Sequence, residues 1–301
     1  MTAETIQATA PRTSYLDWTF EGRAGIVRYV VTAVLMVLVF FFVAALLGSI
    51  PTVLLQIAAP EFDHSDLGQN VQVMFTFVMA FLLLPLVVWL VHRRPGWSIG
   101  LPTRRIPFRD LGLGFGVGVA VAVLVSAVTH VTGIYEVEYV GIDWSQWLLV
   151  LAVTAPLILI QASSEEMLFR GYLTQVVRRL SSNPLLFVSI PAVLFGLPHA
   201  ANIAAYRGNI AVLLPYIVSG LLYGWAAWRT GSLVLGAGLH WANNLGGEVL
   251  IGTKDDVLKS VAPWVSGLPS LTMVTVITTV NAVLTIAVLE GLLRRRATTR
   301  P

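Results

Sequence analysis

The chain has 301 residues, of which 56% are hydrophobic and 12% charged, with a formal net charge of +3 and a mean hydropathy of +0.78. A soluble domain needs more charge than this to cover its surface, so the expected solvent is the lipid bilayer and the expected fold an all-α, polytopic transmembrane bundle. The lack of cysteine excludes disulfides, thiolate zinc sites and a cysteine nucleophile, and basic residues dispersed between apolar runs argue against a nucleic-acid partner.

Residues 1–24 are polar and lack the apolar core of a signal peptide, so they read as a cytoplasmic tail ahead of an uncleaved first span. Apolar stretches near 25–48, 71–92, 111–132, 146–180, 184–200, 210–229, 231–250 and 270–292 approach or exceed the roughly 20 helical residues that cross the hydrocarbon. About eight spans are therefore expected, forming one domain over 25–293, with a basic cytoplasmic tail at 294–301. In the third span Gly112, Gly114, Gly116 and Gly118 alternate; with no strand before them they predict close helix packing, not a dinucleotide loop. The fourth stretch is longer than a span needs and contains Pro156, and the short fifth contains Pro191 and Pro198, so both are expected to be kinked or split.

The basic residues sort by side. Arginines at 12–28, 93–109, 178–179, 229 and 294–300 fall on one side of an eight-span arrangement, and only Arg207, Lys254 and Lys259 on the other. By the positive-inside rule both termini are cytoplasmic, and Glu61, Asp63, Asp66, Glu136, Glu138, Asp143, Asp255 and Asp256 occupy the outer loops. Trp18, Trp89, Trp97, Trp144, Trp147, Trp228 and Trp264 fit an interfacial aromatic belt. His64, His92 and His130 fall in loops or at span ends and read as bystanders.

Ionisable groups at membrane depth are costly and point to function by default. Three clusters qualify: Glu165, Glu166 and Arg170 on the fourth span, His199 on the fifth, and His240 with Asn243 and Asn244 on the seventh. The fourth and fifth spans form a hairpin turning near Ser181–Pro184, which puts Glu165 and His199 each about 22 Å from the turn at 1.5 Å per residue. His240 and Asn244 lie about 13–20 Å from the same side, so the three clusters share a layer. Residues four apart share a helix face, which pairs Glu166 with Arg170 and His240 with Asn244, while Glu165, about 100° around from Glu166, turns toward the histidines. Asn243 competes with Asn244 for the site, and Glu248, two turns beyond His240, is a further candidate for its lining.

A carboxylate and an imidazole facing one buried water can activate it for attack on an amide carbonyl, and two side-chain donors on the seventh span can receive the developing oxyanion. No serine sits in a nucleophile elbow and the His-Glu-x-x-His metalloprotease signature is absent. The competing readings are a proton-coupled transporter, against which the lack of inverted repeats argues, and a scaffold or immunity protein that binds without cutting.

Glu165-Glu166-Met-Leu-Phe-Arg170-Gly171, Phe195-Gly-Leu-Pro-His199 and His240-Trp-Ala-Asn-Asn244 together resemble the three-motif signature of the CAAX prenyl protease and bacteriocin-processing (Abi) family, over residues 160–250. The resemblance implies an eight-helix intramembrane endopeptidase acting on a membrane-associated protein or peptide. It implies that Glu165 is the general base, that His199 helps to hold the water, that His240 and Asn244 form the oxyanion hole, and that Glu166 and Arg170 support the site. A metal-free mechanism without cofactor is the favoured form; in the alternative, Glu165, His199 and His240 would bind zinc. The alanine- and valine-rich chain is similar to bacterial members of the family, which implies the bacterial plasma membrane.

Overall fold

The computed structural model describes residues 13–63, 65–253, 261–267 and 269–298. His64, Arg12, Lys254, Asp255, Asp256, Lys259 and Arg300, all used in the charge and histidine arguments, lie outside the described residues. The architecture is an all-α, polytopic bundle built on eight principal helices: α1 Ile26–Ala58, α2 Leu67–His92, α3 Phe108–Val131, α4 Trp144–Leu180, α5 Pro184–Ala205, α6 Ile210–Thr230, α7 Val234–Val249 and α8 Leu271–Arg296. All but α7 are long and apolar enough to cross a membrane. At 16 residues, α7 is about 24 Å long.

Local chemistry fixes the ends. Ser65 caps α2 through Gly68 N at 3.0 Å, Asp143 caps α4 through Ser145 N and Gln146 N, and Asn183 caps α5 through Leu185 N ahead of Pro184. Gly231, at φ 70°, closes α6 in the left-handed region, and a Cβ there would lie 2.4 Å from Thr13 O. Two helices carry π-helical turns, Val39–Val43 in α1 and Met167–Leu173 in α4. The second begins directly after Glu166, in keeping with the tendency of π-bulges to occur at functional sites.

The alternating glycines of α3 divide by face. Gly114 and Gly118 press on α7, where added Cβ atoms would lie 2.3 Å from Leu235 O and 2.8 Å from Ala242 Cβ, and Gly238 of α7 returns the contact on Leu111 O at 2.3 Å. Gly112 and Gly116 face open space. This small-residue seam lets the two backbones touch and sets the position of α7. On the opposite flank Trp241 Nε1 donates to Ala155 O at 2.8 Å, beside Pro156, through which α4 runs unbroken.

Three features differ from the sequence reading. Residues 13–24 are docked: a 3-10 helix, Tyr15–Phe20, capped by Ser14, lies under the bundle, with Tyr15 N bonded to Gly231 O and the buried Tyr15 hydroxyl donating to Arg170 O at 2.7 Å. Trp18 is buried edge-on against Trp97 and donates to Pro102 O, so it belongs to this strap and not to an interfacial belt. His92 is a buried tie, its Nδ1 on Arg23 O at 2.9 Å and its Nε2 on Tyr172 Oη at 2.7 Å. At the other end of the bundle β1 Glu138–Tyr139, β2 Ile251–Thr253 and β3 Trp264–Ser266 form a small sheet in the order β1-β3-β2 that helical periodicity does not reveal.

Candidate active site

The site forms where α4, α5, α6 and α7 meet. Glu166 and Arg170, four residues apart across the start of the π-turn, are both buried and paired at 3.1 Å. His240 enters from α7 between the two glutamates: its Nδ1 lies 2.9 Å from Glu166 Oε1 and its Nε2 3.5 Å from Glu165 Oε2. Glu166 therefore meets Arg170 and a histidine at once, where helical angles alone assign it to Arg170. An Nδ1 facing a carboxylate carries the proton, which leaves Nε2 to act toward Glu165.

Aromatic rings hold these groups. Tyr223 of α6 stacks on the His240 ring at 4.8 Å and 15°, and the Arg170 guanidinium lies 4.0 Å over Phe195 and 5.2 Å from Tyr223. Arg170 Nε and Nη2 and Glu166 Oε2 have no hydrogen-bond partner among the described residues, so the ring faces are the principal company of the guanidinium's far side.

His199 sits on a short 3-10 segment, Leu197–Ala201, that interrupts α5 just after Phe195. Its Nδ1 donates to Phe195 O at 3.1 Å and its ring stacks 3.8 Å from Tyr216, which in turn accepts from Asn202 Nδ2 at 2.7 Å. With Nδ1 engaged on a carbonyl, Nε2 is left as an acceptor. Glu165 and His199 line one cavity of about 350 Å³, together with Phe40, Phe41, Phe77 and Phe169. The row of polar groups on α7 divides at the asparagines: Asn244 Nδ2 donates to Gln161 Oε1 at 2.9 Å, whereas Asn243 is exposed and lines a separate cavity with His130 and Trp264. Glu248 is buried elsewhere, accepting from Asn70 Nδ2 at 2.7 Å.

Gln161, Tyr216 and Tyr223 are the site residues that sequence reasoning passed over. Gln161 was findable, since it stands one turn before Glu165 on the same face and is polar at membrane depth. The tyrosines carry no such signal, because tyrosine is common in apolar helices.

Zinc can be tested against this geometry. Glu165 Oε2 and His240 Nε2, 3.5 Å apart, are spaced like two ligands of one ion, but among the described residues no group of three His, Asp or Glu side chains is placed to hold a metal. The donor set as arranged does not fit a catalytic zinc.

Fold and site together define a class: an integral membrane protein of the polytopic helical kind, with a carboxylate and imidazole cluster enclosed by its bundle. The family model of the type II CAAX prenyl endopeptidases, Rce1-like, matches residues 144–246, the segment running from the start of α4 through Asn244. Over those residues the chain is similar to the CAAX prenyl protease and bacteriocin-processing family. It is 29% identical over 192 residues to the uncharacterized protein YyaK of Bacillus subtilis (strain 168), an alignment that covers 62% of this chain and 62% of that relative's length. No solved structure matches.

Proposed function

We propose that the chain is an intramembrane endopeptidase that hydrolyses a peptide bond of a membrane-associated protein or peptide, using water activated by Glu165 and His199. The observation that carries this reading is that Glu165 and His199 share a cavity in which each presents an acceptor, beside His240. Water held by His199 Nε2 gives a proton to Glu165 as its oxygen bonds to the scissile carbonyl carbon. The oxyanion that forms is received by Asn244 Nδ2 and by His240 Nε2 in its protonated form. Glu165 then passes the proton to the leaving nitrogen as the carbon–nitrogen bond breaks. Glu166 and Arg170 hold His240 in place throughout. On this reading residues 25–293 are the protease domain, and both termini lie in the cytoplasm of a bacterial cell.

The test is cleavage of fluorogenic and membrane-tethered peptides by detergent-purified protein, comparing the native chain with Glu165→Ala and His199→Ala, each with and without a chelator. Loss of cleavage in both variants with indifference to chelation supports the reading. Cleavage persisting in both variants overturns the site, and chelator sensitivity restored by zinc overturns the metal-free mechanism.

A further inference from the structure

The proposed mechanism needs Asn244 to present an N–H, yet a side-chain amide has two ends of nearly equal shape, one donating and one accepting. Left alone in a cavity, such an amide can turn its oxygen toward the oxyanion and repel it. Something must fix which end faces the reaction. The two neighbours of Asn244 do so together. Its Nδ2 donates to Gln161 Oε1 at 2.9 Å, and its Oδ1 accepts from Asn243 Nδ2 at 3.1 Å. With one N–H spent on Gln161, the second N–H of Nδ2 is left for the oxyanion, and the oxygen is turned toward Asn243.

Gln161 is itself buried on α4, one turn before Glu165 on the same helix face. Its Oε1 meets Asn244 Nδ2, so the amide of α7 is held by a residue on the helix that carries the base.

We infer that Gln161 is a positioning residue, which orients Asn244 for the oxyanion through its hydrogen bond to Nδ2. This rests on the endopeptidase reading above. It also gives α4 and α7 a polar link at the site in addition to the His240 bridge, so the base and the oxyanion donor are aligned as a unit.

A double-mutant cycle tests it. Gln161→Met, Asn244→Ala and the double variant are compared with the native chain on one cleaved peptide, reading kcat and KM separately, with each rate taken per mole of folded protein from thermal melting in detergent. Gln161→Leu replaces Gln161→Met if the latter fails to fold. The expected result is a fall in kcat of at least about tenfold for Gln161→Met with KM unchanged, against the roughly 10²–10³-fold that loss of an oxyanion donor costs. In the Asn244→Ala background the same change is expected to cost less than about twofold, because a residue that acts through Asn244 has nothing left to orient. Equal losses in the two backgrounds, or a Gln161→Met rate within about twofold of native, overturn the inference. If Asn244→Ala alone leaves kcat near native while Glu165→Ala abolishes cleavage, the oxyanion role of Asn244 falls and the inference falls with it, but the base survives.

Discussion

Replacing Gly238 by alanine adds one methyl group on the seam between α3 and α7, two residues before His240. The added Cβ would lie 2.3 Å from Leu111 O and 2.9 Å from Phe115 N, both of them backbone atoms that cannot rotate away. An unstrained carbon–oxygen contact is about 3.3 Å, so the two helices must part by about 1 Å. His240 and Asn244 ride on the helix that moves, while Glu165 stays with α4. A misplacement of about 1 Å in a catalytic constellation costs on the order of 10² in rate. The expected outcome for Gly238→Ala is therefore a fall in kcat of about that size in a protein that still shows native helical content by circular dichroism. Gly116→Ala is the control, since a Cβ there meets nothing within 4 Å, and its rate is expected to stay native. A Gly238→Ala enzyme within about threefold of native, or an equal loss in Gly116→Ala, would refute the claim that this seam positions the site.

Three further outcomes follow from the geometry. Glu165→Gln is expected to lower kcat about 10²–10⁴-fold with little change in melting temperature, since the side chain faces a cavity and its amide keeps the shape; a rate within tenfold of native removes Glu165 as the base. Arg170→Met removes the fixed cation beside Glu166 in a buried setting, and a destabilisation of about 3–5 kcal/mol is expected in detergent unfolding, largely relieved by adding Glu166→Gln. Tyr15→Phe removes a buried bond to Arg170 O, for about 1 kcal/mol. Burial raises the Tyr15 phenol above its ordinary range, so the unfolded chain loses that proton first and native stability falls as pH rises above about 10. That decline should be shallower in Tyr15→Phe, and identical slopes would show that Tyr15 does not contribute to it.

What could be read from the sequence was whatever obeys helical periodicity and the cost of charge in lipid. Glu165, Glu166, Arg170, His199, His240 and Asn244 stand out because each is expensive at depth, and the rise per residue is enough to put them in one layer. That His240 would meet Glu166 as well as Glu165 was not legible, because it depends on the π-turn from Met167 to Leu173 and on how far α7 inserts between α4 and α6, which are tertiary facts. The strap formed by Tyr15 and Trp18 was hidden for a different reason. Its residues are polar enough on average to read as a tail, and their burial depends on Gly231 and Pro102 from distant parts of the chain. His92 likewise looked like a span-end bystander until Tyr172 and the Arg23 carbonyl arrived as partners.

The placement of His240 between two carboxylates bears on how such chemistry is sustained in a bundle surrounded by lipid. Arg170 supplies one fixed positive charge to Glu166, and His240, when protonated, supplies a second that faces Glu165. The cluster is then neutral at rest. On the proposed mechanism, proton transfer from water neutralises Glu165 at the moment a negative oxyanion forms beside His240, so the net charge of the site stays at zero through the hard step. A buried site that keeps its net charge avoids the solvation penalty of several kcal/mol that an uncompensated ion would meet there. The pairing of Glu166 with Arg170 thus does more than fill space: without that fixed cation, the same proton transfer would begin and end in a cluster carrying an unbalanced negative charge.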